Sequence, residues 1–431
     1  MRRAALVLVG AVLAAALSGA EGREETQFAV HISAPHMLGP GRLGADVTVD
    51  GLRPEPQPTV EWTVTIGAQV IRRPPHPLIA PRVPASIDLP AGQVRVGGDV
   101  SVAEFTRVPP LEENLPVGVE ITVRQGDTVA IARQTAVLLV PTVIVPGYLN
   151  DILETPDPDV MSRFARRGFS AGGPSPDLFW FPYRSRALSL RDAAATLAAY
   201  VKNVVLRATY AARINVVGYS LGGLIARWNI AFEPGWDRLV NRLILVGTPN
   251  QGAVASYVYA WYPAGILART RAARDLLPTF PFWRPDPRTP WTIPPDGRNP
   301  TLAELNAHPL PESVRVFALY GRREAGAMSG VTGRLPDATF SFGPGDGVVL
   351  TASVLGLAVN GGGGLHGLRD RFVATVDLGP QRHLNLLWAA TPRIADILVD
   401  RTTTHTFGPV PCAYRPRARE APRVFPLLGS F

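Results

Sequence analysis

The residues with the clearest chemical meaning are Gly218-Tyr219-Ser220-Leu221-Gly222, which follow the apolar run Ile214 to Val217 and lead into Gly223-Leu224-Ile225-Ala226-Arg227. Small residues on both sides of a serine, at a change from strand to helix, suit a sharp, strained turn that lifts the hydroxyl above a sheet. A serine hydroxyl is a weak nucleophile near neutral pH, so it needs a general base, and the base needs an orienting carboxylate. Ser220 therefore predicts acyl-transfer chemistry, with a histidine and an acid supplied from farther along the chain.

Of the seven histidines, His31, His36 and His76 lie in the N-terminal part, His308 precedes a late strand and His405 is near the end. His383 and His366 remain. His383 follows a predicted strand, Phe372 to Val376, and a tight Gly379-Pro380 turn, then leads into the helical run Leu384 to Trp388, where a last core loop would deliver a base. His366 closes the glycine run Gly361 to Gly364 and is the alternative. For the acid, Asp346 in Gly343-Pro344-Gly345-Asp346-Gly347 follows the predicted strand Val314 to Leu319 and gives the chain order Ser, Asp, His; Glu324, Asp337 and Asp370 compete with it. An oxyanion intermediate needs backbone N–H donors, one from the residue after the nucleophile and one from a loop after an early strand. Leu221 and Tyr148 fill these places, Tyr148 standing in Val145-Pro146-Gly147-Tyr148-Leu149-Asn150.

These groups need a scaffold that brings distant segments to one edge. From Pro141 onward, buried β-runs alternate with longer helical stretches, which argues for βα units on a mostly parallel sheet. The strands are expected at Thr142 to Val145, Leu178 to Tyr183, Ile214 to Val217, Leu243 to Val246, Val314 to Leu319 and Phe372 to Val376. A helix opens at Ser189 as N-cap and carries Leu190, Ala194, Leu197, Val201 and Val204 at helical spacing. This is the alternation of an α/β-hydrolase core over residues 141–400. Within it, residues 253–300 interleave Trp261, Tyr262, Phe280, Phe282, Trp283 and Trp291 with many prolines and read as a cap insertion, whose aromatics either line an acyl-chain site or pack onto the core.

Ahead of the core, residues 25–140 predict a small antiparallel β-sandwich. Val60, Trp62, Val64 and Ile66 alternate with Thr59, Glu61, Thr63 and Thr65, and similar pieces occur at Val47 to Val49, Val94 to Val96 and Val119 to Val123. Met1-Arg2-Arg3, the apolar run Ala4 to Leu17 and Ser18-Gly19-Ala20 have the layout of an export signal over residues 1–20, so a secreted or periplasmic protein is expected. Residues 401–431 form a Pro/Arg-rich tail. The single cysteine, Cys412, permits no intramolecular disulfide. The net charge of +8 comes almost wholly from arginine, Lys202 being the only lysine, and is read as compositional bias and not as a nucleic-acid footprint. Arg415, Arg417, Arg419 and Arg423 nevertheless suit a lipid surface. The histidines lack ligand spacing, so no metal or other cofactor is expected.

The chain resembles the lecithin:cholesterol acyltransferase-like family of lipases and acyltransferases. The likeness lies in Val145-Pro146-Gly147, Gly218 to Gly222, Gly247-Thr248-Pro249-Asn250-Gln251-Gly252, Phe317 to Gly321, Gly345-Asp346-Gly347 and His383-Leu384-Asn385. It spans Pro141 to about Asp400 and leaves out the sandwich; bacterial secreted lipases have a similar core. It implies Ser220, Asp346 and His383 as the triad, Tyr148 and Leu221 as oxyanion donors, and a lipid-like ester substrate. The chain departs from the family at Pro182-Tyr183-Arg184-Ser185, where an Asp-Trp pair commonly follows the Pro-Tyr. Ester hydrolysis is the expected reaction, with lipid O-acyl transfer, peptide cleavage and a catalytically silent binding protein as the rival readings.

Overall fold

The computed structural model describes residues 28–39, 42–50, 56, 58–77, 86–89, 92–96, 101–108, 110–148, 156–172, 176–253, 270–280, 299–322, 344–359 and 363–401. The expected leader, most of the insertion and the tail beyond Arg401 lie outside the described residues.

The N-terminal strands are β1 (Ala29–Ile32), β2 (His36–Gly39), β3 (Arg42–Asp50), β4 (Thr59–Ile66), β5 (Gln69–Pro77), β6 (Ser86–Leu89), β7 (Gly92–Val96), β8 (Ser101–Arg107), β9 (Leu115–Gln125) and β10 (Thr128–Leu138). They form two sheets, one ordered β1-β3-β7-β6 with β2 and β8 also on β3, the other ordered β10-β9-β4-β5. The alternation along β4 sorts its side chains by face: Val60, Trp62, Val64 and Ile66 are buried while the threonines and Glu61 are half-exposed. With Val119, Ile121 and Val123 of β9 they meet Leu43, Ala45, Val47 and Val49 of β3 in one core, so the sheets pack face to face. One pairing departs from the all-antiparallel expectation. β3 and β7 run parallel, Thr48 beside Arg95 and Val49 beside Val96, because the chain crosses to the other sheet through β4 and β5 before returning.

The second sheet comprises β11 (Thr142–Val145), β12 (Leu178–Trp180), β13 (Ile214–Tyr219), β14 (Val240–Val246), β15 (Arg315–Tyr320) and β16 (Phe372–Asp377), in the order β12-β11-β13-β14-β15-β16. Every neighbouring pair is parallel, so all six C-terminal ends emerge along one edge. β14 is buried throughout, as expected for a strand covered on both faces. Strand β12 stops earlier than its apolar run suggests. The N–H of Phe181 still donates to the Ile144 carbonyl at 2.9 Å, but Pro182 has no N–H to continue the ladder.

Ser189 caps the helix Leu190–Tyr200, its hydroxyl oxygen accepting from the Asp192 N–H at 3.1 Å. After Tyr200 the helix widens into a π turn, Val201–Val205, which carries Val205 into the core and leaves Val204, the residue expected there, 43% exposed. On the other face of the sheet, helix His383–Leu398 packs Leu386, Leu387, Ala390 and Ile394 against Ile244, Phe317 and Leu319. The sandwich joins the sheet at the edge where the strands begin. There the Asn114 amide donates to the Leu398 carbonyl at 2.7 Å, and the wholly buried Arg242 donates to both Asp400 oxygens at 2.7 Å.

Asp177, just before β12, is a half-buried titratable group held for structural reasons. Its Oδ1 accepts from the Ser170 N–H at 2.7 Å, yet desolvation outweighs that bond and raises the carboxyl from its ordinary 3.8 to about 6. Between these values the folded chain holds a proton that the unfolded chain releases, so stability falls as pH rises through the window. Asn at this position keeps the acceptor and carries no charge. Asp177→Asn should therefore exceed the native protein in chemical denaturation at pH 7.5 by on the order of 1–2 kcal/mol, with the gap closing towards pH 4. A gap that does not change with pH would contradict this.

Candidate active site

Ser220 sits between β13 and the helix Leu221–Phe232 with φ 52° and ψ −123°. Asp400 is the only other non-glycine residue at positive φ among those described. Such a conformation costs about 1–3 kcal/mol and persists only when its surroundings over-determine it. The Ser220 N–H donates to the Val246 carbonyl of β14 at 2.9 Å, and its own carbonyl accepts from the Gly223 N–H at 3.0 Å. The helix also begins hard against β11. A Cβ on Gly222 would stand 2.0 Å from the Val145 carbonyl oxygen, which only a glycine avoids. The Leu221 N–H belongs to the first turn of that helix, where no carbonyl four residues back is available to accept it.

His383 is the first residue of its helix and is buried together with Ser220 and Asp346. Its Nε2 lies 2.9 Å from Ser220 Oγ and its Nδ1 2.7 Å from Asp346 Oδ2. An ionised carboxylate only accepts, so Nδ1 carries the proton and Nε2 is left to accept the serine hydroxyl. Asp346 is held from three sides. Its Oδ1 accepts from the N–H groups of Val348 at 3.0 Å and Val349 at 2.8 Å, and its carbonyl accepts from the His383 N–H at 2.9 Å. These bonds occupy Oδ1 and leave Oδ2 to the imidazole. Chemically, the chain can draw the Ser220 proton onto Nε2 while the carboxylate stabilises the imidazolium that results.

The loop after β11 lies over the serine: a Cβ on Gly147 would come within 2.9 Å of Ser220 Cβ. Tyr183 braces this loop by donating from its hydroxyl to the Pro146 carbonyl at 3.0 Å. The neighbouring Tyr148 hydroxyl is 2.8 Å from Thr270 Oγ1, which caps the short insertion helix Arg271–Asp275. Tyr148 stands in the loop that lies over the serine, and Leu221 is the first residue of the helix that follows it.

Of the competing residues, His366 is exposed at the start of helix His366–Arg369, and Asp370 is exposed beside Arg369; neither joins the Ser220–His383–Asp346 chain. Glu324 and Asp337 lie outside the described residues, as do Trp261, Tyr262, Phe282, Trp283 and Trp291. Phe280 is described, and it packs with Ala253, Ala318, Val349 and Leu350 as core.

Three contributors were not assigned from the sequence. Gly247, at φ 55°, leaves room for the site, since a Cβ there would stand 2.6 Å from Leu386 Cδ2, 3.3 Å from Asp346 Oδ2 and 3.4 Å from His383 Cε1. Asn250 and Gln251 tie the loop after β14 to the segment following Asp346. The Asn250 amide donates to the Val354 carbonyl at 2.6 Å, and the Gln251 amide donates to the Leu357 carbonyl at 2.6 Å. Asn250 Oδ1 also accepts from the buried Arg227 of the Ser220 helix at 3.0 Å, and Asn306 Oδ1 accepts from the same guanidinium at 3.0 Å. Burial with amide and not carboxylate partners pulls the Arg227 guanidinium down to about 10. The signal was the polar Asn250-Gln251 pair inside an otherwise apolar segment, which demands internal partners.

A family model described as alpha/beta hydrolase fold matches residues 164–285, which contain the Ser220 turn and the strands on either side of it. Together with the all-parallel sheet, this decides the architecture. The chain has the α/β-hydrolase fold. Similar solved structures include mature Bacillus licheniformis lipase BlEst2, at 18% identity and TM-score 0.41 over 60% of this chain and 92% of that one. Legionella pneumophila phospholipase PlaB follows at 15% identity and TM-score 0.35, covering 50% of this chain and 45% of that one. The Pyrococcus furiosus esterase Pf2001 covers 68% and 90% respectively, at 10% identity and TM-score 0.34.

The strain at the α/β-hydrolase serine is directly measurable. Ser220→Gly and Ser220→Ala both remove the hydroxyl, but only glycine relaxes at φ 52°. Thermal unfolding should find Ser220→Gly more stable than Ser220→Ala by about 1 kcal/mol, the relief of strain outweighing the extra freedom of glycine when unfolded. An alanine variant of equal or greater stability would contradict a strained turn.

Proposed function

We propose that the protein is a serine hydrolase that cleaves carboxylic esters of lipid-like substrates through an acyl-enzyme on Ser220. The observation that carries this reading is the hydrogen-bonded chain from Ser220 Oγ to His383 Nε2 at 2.9 Å and from His383 Nδ1 to Asp346 Oδ2 at 2.7 Å. Ser220 Oγ attacks the ester carbonyl while His383 Nε2 takes its proton, and Asp346 holds the imidazole in the required tautomer. The backbone N–H groups of Leu221 and Tyr148 receive the developing oxyanion. Collapse expels the alcohol, protonated by His383, and water activated by the same imidazole then releases the acid. An alcohol in place of that water turns the same cycle into O-acyl transfer.

The triad supports acyl transfer in general, and the ester class is supported by the resemblance of Val145 to Gly147, Gly218 to Gly222, Gly345 to Gly347 and His383 to Asn385 to the lecithin:cholesterol acyltransferase-like lipases. The export layout of residues 1–20 supports action outside the cytoplasm, on ester or lipid surfaces there.

The test is hydrolysis of p-nitrophenyl esters from acetyl to palmitoyl by the mature protein beside Ser220→Ala and Asp346→Asn. The native protein should turn over, with the optimum acyl length separating esterase from lipase. Each variant should lose on the order of 10³-fold or more in kcat, Asp346→Asn because the imidazole then takes the wrong tautomer. Undiminished turnover in Ser220→Ala would exclude the proposed nucleophile.

A further inference from the structure

Tyr219, the middle residue of Gly218-Tyr219-Ser220, has a side chain that neither the turn nor the oxyanion site requires. Its hydroxyl donates to the backbone carbonyl of His383 at 2.6 Å. Its ring lies beside the imidazole of the same residue, centroids 5.3 Å apart and planes 30° from parallel. The tyrosine therefore grips the base twice, at its main chain and at its ring. From this geometry we infer that Tyr219 is a positioning residue for His383, which holds the imidazole aimed at Ser220 and offers a π face to the imidazolium formed during each proton transfer.

His383 begins its helix, its N-cap residue Arg382 provides no side-chain cap, and first-turn residues are held by few intrahelical bonds. A hydroxyl donating to the His383 carbonyl pins that first turn from the nucleophile's own strand, so base and nucleophile are registered to each other through a single side chain. Burial, reinforced by the charges of Asp346 and Asp157, raises the Tyr219 hydroxyl well above its ordinary value, so the donor proton stays in place at every working pH. An aromatic face within about 6 Å attracts a cation, and an imidazole becomes one only when it has taken the serine proton, so the stacking favours the reacting state over the resting one.

This inference rests on the proposed roles of Ser220 and His383, and the test separates the two. Diisopropyl fluorophosphate reports nucleophile activation without any knowledge of the natural substrate. The Ser220 Oγ–phosphorus bond forms, the phosphorus–fluorine bond breaks with departure of fluoride, and the hydroxyl proton passes to His383 Nε2 and on to water. Labelling is followed by mass spectrometry to completion in the native protein, Tyr219→Phe, which keeps the ring, and Tyr219→Leu, which loses both contacts. Ser220→Ala is the control.

The second-order rate constant should fall about tenfold in Tyr219→Phe and about a hundredfold in Tyr219→Leu, while the labelled fraction at completion stays near that of the native protein. A merely structural role would lower that final fraction and leave the rate constant of the labelled molecules unchanged. Should Tyr219→Leu fail to fold, the phenylalanine variant decides alone. A Tyr219→Phe rate constant within twofold of native overturns the inference and leaves the proposed nucleophile standing. Failure of the native protein to label at Ser220 overturns both.

Discussion

An imidazole can reach the Ser220 hydroxyl only because the chain reverses at φ 52° between β13 and the helix that follows, and that reversal is possible only where backbone can lie against backbone. The Gly222 position, where a Cβ would stand 2.0 Å from the Val145 carbonyl oxygen, and the bond from Ser220 N–H to Val246 are the anchors of this arrangement. They join the nucleophile turn to β11 on one side and to β14 on the other. The same two neighbours carry the loop over Ser220 and the Gly247 position that leaves space for the imidazole, so the strain at one residue organises three segments.

Around this turn, polar groups buried with their partners hold the remaining segments in place. Asp346 is committed through one carboxylate oxygen to two backbone N–H groups, which leaves the other for His383. Arg227, Asn250 and Gln251 link the Ser220 helix to the residues after Asp346 through side-chain hydrogen bonds, and breaking one partner of such a network exposes the full desolvation cost of the others. At the opposite edge of the sheet, Asn114 with Leu398 and Asp400, and Glu113 with Asn241, seat the sandwich on the sheet, far along the strands from the serine. The sandwich therefore contributes to the framework at the edge where no chemistry is assembled.

The nucleophile turn and the six parallel strands were legible in the sequence because their demands are local. Five residues suffice to describe a turn too tight for side chains, and buried parallel strands appear as short apolar runs. What required the structure was long-range. His383 and His366 both follow plausible local signals, and only the placement of β16 next to β15 brings the segment after it to Ser220. Tyr219 could not be singled out because the turn itself places no demand on the residue before the serine. The shift from Val204 to Val205 follows from a π turn that no periodicity announces, and the parallel pairing of β3 with β7 depends on where the intervening strands cross. Phe280, one of the insertion aromatics whose role the sequence left open, is a core residue for the simple reason that its neighbours are Ala318 and Val349.

The central claim is that Ser220 carries the acyl group. Rapid mixing of the protein with p-nitrophenyl acetate, acid quenching within the first turnover and peptide mass spectrometry test it directly. The account predicts an added acetyl group on the peptide bearing Ser220, appearing in step with the first equivalent of p-nitrophenolate and absent from Ser220→Ala. Release of p-nitrophenolate with no acetyl on Ser220, or with the acetyl on another residue, would contradict it.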